Sequence, residues 1–325
     1  MRLAREIGDP KLLAAALVAL GKLLEFRAVF DRSLAYLCEG VELARLTHAG
    51  FQIGQATFFI GNAHTAKGAY EDALRWYQQL SDYASKAGDK HLLARVPNLI
   101  GGVHLELFDL DEALRLNLEG DEVAQRLFPW PEPRGHSLVK AGLAYLYRGE
   151  HGPAEACFCR AEALLEADAW LRWRWHMALL HAFGELALTQ GHHDAAWTYA
   201  TQSLELATQT DSRKHIARAQ RLQGEVLAAR GQLEEAVQAL AASVCLAEHI
   251  QTPREEWLGK AALGKVLTRL GRDKEAEAQL TQATQTIAAI AANLQTLRLR
   301  HSFLSAVPVL QVYEVLGHQP PSATL

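Results

Sequence analysis

The sequence predicts an all-α fold, a solenoid of seven helix hairpins closed by a C-terminal helical cap. A glycine returns at Gly21, Gly61, Gly101, Gly142, Gly184, Gly224 and Gly264, spaced 40, 40, 41, 42, 40 and 40 residues apart. Glycine is about 7% of ordinary sequence, so this shared register marks a repeat. A small residue follows 12 positions later in every copy: Ser33, Ala73, Ala113, Ala154, Ala196, Ala236 and Ala276. A second glycine stands seven after the first in five copies, at Gly68, Gly149, Gly191, Gly231 and Gly271, with Ala28 and Phe108 in the other two. That position starts a tight turn. Glycine inside a helix costs about 0.5–1 kcal/mol relative to alanine, so its recurrence needs a packing reason. A glycine facing an alanine across a hairpin lets two helix axes approach the short end of the usual 8–10 Å range.

Gln220–Ala247 shows the unit most plainly: a helix, a turn at Gly231, and a second helix lying back on the first. Leu227, Leu233, Leu240 and Leu246 supply the apolar filling. The arrangement of small, aromatic and aliphatic positions resembles the tetratricopeptide repeat, most closely in IGNAHTAKGAYEDALRWYQQL (Ile60–Leu80) and LGKVLTRLGRDKEAEAQLTQA (Leu263–Ala283). The resemblance runs through most of the chain. It implies a right-handed superhelix whose first helices line a concave face. One departure is clear: the standard unit has about 34 residues and these have 40 to 42. About six extra residues at 1.5 Å each add a turn or more to the hairpin and make taller walls.

In chain order, Leu3–Ala16 aligns with Tyr83–Val96 and sets Gly8 and Asp9 on Gly88 and Asp89. Residues 1–9 therefore read as the tail of a truncated preceding repeat in a fragment of a longer protein, the alternative being a short native cap. The units are expected at about 10–48, 50–86, 89–126, 134–168, 169–209, 211–249 and 252–293. Asp9–Pro10 supplies an N-cap followed by proline at the first helical position. Pro97 falls well inside a predicted first helix, which must kink there or start late. Phe128–Pro133 (FPWPEP) is expected to be a loop carrying Trp130 outward or into a groove. Pro153 is expected to start the second helix of unit four. Trp170, Trp173 and Trp175 read as inter-repeat core, with Arg172 or Arg174 stacked on them. Thr252–Glu255 has the spacing of a capping box. Residues 294–325 should form short capping helices and a frayed tail, with Val309, Leu310, Tyr313 and Leu316 on one face and Gly317 as the stop.

Of the 325 residues 49% are hydrophobic and the net charge is −4. Without a dense Lys/Arg run, this segment is not expected to contact nucleic acid. No apolar run approaches the ~18 residues of a membrane span, and no signal-peptide pattern opens the chain. Four scattered cysteines do not make a disulfide scaffold, and a cytoplasmic setting is expected. Cys157 and Cys159 are two apart on a helix, cannot chelate, and read as buried small residues. His192–His193 lies in a turn without a metal-ligand pattern. Walker, dinucleotide, GxSxG and HExxH motifs are all missing, so no catalytic residue, metal or cofactor is expected.

A binding surface is what remains. The inward positions of the family's first helix, carried over unit by unit, fall on Gln55, Phe58, Asn62, Arg95, Asn98, His136, Lys140, Tyr147, His181, Glu185, Arg218, Arg221, Glu225, Lys265 and Arg269. Asn62 and Asn98 could each donate to and accept from a peptide backbone, and the Arg/Lys set could grip carboxylates. The expected partner is a protein or peptide in the concave groove, or a small inducer, with self-association compatible. Long units and the closing Phe303–Gly317 resemble the C-terminal sensor arrays of bacterial signalling ATPases of the maltose-regulator kind. The alternative is a free-standing adaptor or scaffold.

Overall fold

The computed structural model describes residues 2–127, 130–165 and 173–321, and among these there are eighteen helices and no strand. A short α1 (Arg2–Ile7) precedes the first hairpin, α2 (Pro10–Phe26) with α3 (Phe30–Leu46). Next come α4 (Gly50–Ala66) with α5 (Tyr70–Ala87), then α6 (Lys90–Leu93) and α7 (Val96–Glu106) with α8 (Leu110–Leu127). The fourth pair is α9 (Pro131–Tyr147) with α10 (His151–Leu165), and the fifth α11 (Trp173–Thr189) with α12 (His193–Gln209). The sixth is α13 (Arg213–Ala229) with α14 (Leu233–His249), and the seventh α15 (Pro253–Arg269) with α16 (Asp273–Ala292). Two short helices close the order, α17 (Leu297–Leu304) and α18 (Val307–Val315). Each hairpin packs on the next, which makes the architecture a tetratricopeptide-type solenoid.

The recurring glycines sit where paired helices cross, and the structure corrects what lies over them. A methyl built on Gly224 would stand 2.5 Å from Leu240 Cγ, and one on Gly264 2.7 Å from Leu280 Cγ. Leu37, Tyr77, Asn117 and Phe158 cover Gly21, Gly61, Gly101 and Gly142 in the same way. The covering residue is therefore 16 positions on, not 12. The small residue at 12 is buried beside it and presents its backbone: Ala236 O would be 3.2 Å from the added methyl. Gly184 breaks the rule because Ala200 is too short to reach, and Leu222 of the next unit fills the space.

Proline placement explains most boundaries. Asp9 Oδ1 accepts from Lys11 N at 2.9 Å, and Pro10 is the first residue of α2. Pro97 splits its helix: α6 ends at Leu93 and α7 restarts at Val96, leaving Pro97 in a first turn where a missing N–H costs nothing. FPWPEP is a loop only in part, because α9 already begins at Pro131 and takes both Pro131 and Pro133 into its first turn. Pro153 likewise lies in the first turn of α10, which starts at His151.

Further expectations change in detail. Trp130 lies against His91, ring centroids 5.0 Å apart, with the Arg95 guanidinium 5.5 Å from its ring. Trp175 is fully buried among Leu138, Phe158 and Leu179, while Trp170, Arg172 and the side chains of Trp173 and Arg174 lie outside the described residues. Thr252 forms no capping box, since its hydroxyl turns back to Ala247 O and Glu255 is drawn to Arg218 across the interior. Cys157 is buried but Cys159 is exposed, as a two-residue offset on a helix requires. The buried face of α18 is Val309, Val312 and Tyr313, with Leu310 40% exposed.

Seven hairpins carry the chain round far enough for its two ends to meet. A methyl on Gly68, in the second turn, would touch Pro253 at the start of α15. Ala28 and Phe30 of the first hairpin share a small core with Ile250. Thr296 N donates to Glu71 at 2.6 Å, and Arg298 reaches Asp109 at 3.1 Å. Leu299, Phe303 and Leu304 of the cap share one core with Tyr70, Leu107 and Trp257. The cap thus covers the last unit and also joins it to the second and third.

Candidate ligand cavity

Because the ends meet, the concave face encloses a hollow of about 270 Å³. Phe58, Asn62, Arg95, Asn98, His136, Lys140, Tyr147, His181, Arg218 and Arg221 all line it. These side chains come from α4, α7, α9, α11 and α13 or the residue just before one of them, so successive first helices form the wall. Glu185 and Glu225 line a larger neighbouring hollow of about 720 Å³ under the cap. The remaining three stand elsewhere. Gln55 accepts from Lys22 Nζ at 2.8 Å, Lys265 donates to Gln311 at 3.0 Å, and Arg269 donates to Ala228 O at 2.8 Å.

Most of the wall's cations already hold carboxylates of the same chain. Arg95 donates to the fully buried Glu132 at 2.9 Å. Arg221 reaches Glu185 at 3.0 Å and Glu225 at 2.7 Å, while Tyr147 and His181 also bond Glu185. Arg218 holds Glu255 at 2.5 Å and Glu106 at 3.0 Å. Glu106 further meets Arg254 at 3.0 Å and Lys214 at 4.0 Å. Burial alone would push the Glu106 carboxyl up, but Arg254, Lys214 and Arg218 outweigh it and hold it well below the usual carboxylate range. Glu185 is held low in the same way by His181 and Arg221. A wall so internally paired offers few free charges to a ligand.

Lys140 is different. Its Nζ donates to Asn98 O at 2.7 Å and faces Asn98 Oδ1 at 3.4 Å, and no carboxylate pairs with it. Burial pulls its ammonium down to about 8, and the nearby Lys214 and Arg218 pull the same way, against Glu106 and Glu132. Asn62 accepts from Tyr77 OH at 2.9 Å. Neither asparagine spends its amide nitrogens on the protein, so both keep donors. His215 contacts Ser212 Oγ at 3.0 Å, and burial drives its imidazole well below the ordinary value.

Sequence reasoning did not single out Glu106, Glu132, Lys214, His215, Arg254 or Glu255. Four of these bridge units that are distant in the chain, and a one-unit pattern carries no signal for such pairs. Among the described residues no group of three or more His, Cys, Asp or Glu is placed to hold a metal ion. No described helix is long and apolar enough to cross a membrane.

No family model matches the chain. A curated protein, the 43 kDa receptor-associated protein of the synapse from Gallus gallus, is 24% identical over 162 residues, which is 50% of this chain. The match covers 39% of that relative, well under half its length. Among solved structures, a Rap protein complexed with competence and sporulation factor aligns with TM-score 0.68 at 13% identity, over 87% of this chain and 77% of that one. NprR in complex with its cognate peptide NprX aligns with TM-score 0.61 at 15% identity, over 95% and 87%. At such identities the likeness shows the fold.

Proposed function

We propose that this tetratricopeptide-type solenoid is a non-catalytic module that binds a peptide, or a protein segment, on its concave face. One observation carries the reading. Successive first helices converge on an enclosed polar cavity that keeps donors at Asn62, Asn98 and Lys140 unspent while its other charges neutralise one another. Such a wall suits a largely uncharged main chain, whose amides need matched donors and acceptors. The NprR likeness is compatible with this reading, since that protein was captured with a peptide. Such a module would serve as the sensor part of a larger bacterial signalling ATPase or transcriptional regulator in the cytoplasm. An upstream reading frame encoding a nucleotide-binding motif would support that placement.

A second reading, an adaptor that associates with another protein, draws on the curated relative described as receptor-associated. Panning a displayed random-peptide library on the immobilised chain, followed by calorimetry on enriched sequences, tests the groove. Retained peptides should lose affinity about tenfold with Asn98→Ala. Enrichment no greater than on an uncoated support, or affinity indifferent to Asn98, would overturn the peptide reading.

A further inference from the structure

The cavity holds one cation whose charge the protein leaves unmatched. Arg95, Lys214, Arg218, Arg221 and Arg254 each lie within 4.0 Å of a carboxylate. Lys140 pairs with none among the described residues. An ammonium carries three donors, and only two acceptors face this one, both on Asn98. Space is kept open around it, since a methyl on Gly102 would stand 2.7 Å from Nζ. Burying an unpaired charge is costly, and the usual compensation is a partner bearing the opposite one.

We infer that the cavity receives a single carboxylate on the third donor of Lys140, so that its ligand is a monoanion. The inference rests on the ligand-binding reading above and names the chemistry of that ligand. One unmatched cation answers one negative charge. A dianionic phosphate would need a second cation, and every other cation on the wall is already paired. Beside the ammonium, Leu99, Val139, Leu143 and Met177 give an apolar flank, and the Asn98 amide offers a donor for the group next to the carboxylate. A volume of about 270 Å³ falls just below the usual 300–1,000 Å³ of small-molecule pockets. It suits a chain end or a small organic acid better than a long extended segment. The shared chemistry is a carboxylate, whether of a peptide C-terminus or of a free acid.

The test uses the whole chain with two probes that differ only in charge, N-acetylglycine and N-acetylglycinamide. At pH 7 the acid should raise the unfolding temperature in proportion to its concentration and the amide should not. Lys140→Met should stay folded and lose that response, with calorimetric affinity weakened about tenfold or more. Lys140→Gln, which keeps hydrogen bonding but removes the charge, should lose it equally. Equal responses to acid and amide, or a response surviving both substitutions, would overturn the inference. Library-selected peptides separate the sources: a free terminus at least tenfold tighter than its amidated twin, and tighter than N-acetylglycine, assigns the carboxylate to a peptide end. Equal affinity for the peptide acid and N-acetylglycine assigns it to a free acid. Peptides that bind equally well free and amidated would sink the carboxylate site and leave the peptide reading standing. Failure of all peptides, with N-acetylglycine still acting through Lys140, would sink the peptide reading alone.

Discussion

Arg218 Nη2 lies 3.0 Å from Glu106 Oε1 although the two residues are 112 positions apart, so one ion pair ties the third hairpin to the sixth across the interior. Glu106 also takes Arg254 of the seventh hairpin and lies near Lys214. A solenoid held only by neighbouring units behaves as a one-dimensional array, whereas this contact makes first and last units depend on each other. Glu106→Gln leaves two or three buried cations facing a neutral amide. Breaking a buried pair from one side typically costs about 3–5 kcal/mol. The variant should lose about 3 kcal/mol in urea unfolding and should scatter X-rays with a larger radius of gyration as the seam loosens. An unchanged radius and a loss below about 1 kcal/mol would show that the neighbour contacts suffice.

The glycine crossings give a second test. Gly224→Ala presses a methyl against Leu240 Cγ and should cost about 1–3 kcal/mol through overpacking. Gly152, near the start of α10, has nothing within 4 Å of an added methyl. Gly152→Ala should therefore be neutral or stabilising by up to about 1 kcal/mol. The contrast between the two in chemical unfolding separates a packing role from a conformational one.

How much of this was legible in the sequence follows from the range of each interaction. Gly224 and Leu240 lie 16 residues apart in one hairpin, so the repeat betrayed the crossing, though not which residue covers it. Phe58, Asn98 and Lys140 face inward because helical periodicity sets their direction within a unit. Glu106 with Arg254, and Asp109 with Arg298, depend on the accumulated curvature of seven units. Small per-unit rotations fix that curvature, and no local pattern records them. The same gap made the Arg/Lys set look free for a ligand, when Glu132, Glu185 and Glu255 already occupy it.

Turn conformation yields a third prediction. His48 and Gln251, in the turns between units, are exposed and left-handed at φ 52° and 56°, where the equivalent residue Gly88 has φ 66°. A side chain there costs about 1–2 kcal/mol in backbone strain, partly offset by the greater freedom of glycine in the unfolded chain. His48→Gly and Gln251→Gly should each raise stability by about 0.5–1 kcal/mol and add in combination, since the sites share no contact. Phe108→Gly relieves the same φ but should destabilise. Phe108 lies 6.4 Å, ring to ring, from Trp257 and takes the Arg254 guanidinium at 5.4 Å. Loss of stability at His48→Gly would mean that its side chain holds the turn.

The unmatched charge on Lys140 makes stability depend on alkaline pH. Its ammonium sits at about 8 in the folded chain against an ordinary 10.5. Between those values the unfolded chain binds the proton and the folded chain does not, so this residue makes stability rise with pH across that window. Below about 8 the folded chain bears the full cost of the buried charge. Lys140→Met removes that cost, so the variant should be more stable than the natural chain at pH 7, with a stability gap that narrows steadily from about pH 8 and closes near 10.5. Adding N-acetylglycine at pH 7 should close part of the gap from the other side, because a bound carboxylate supplies the missing partner. Unfolding temperatures of both chains across pH 6–10.5 check the trend. A gap that stays constant with pH would mean that Lys140 is fully compensated in the folded state without any ligand.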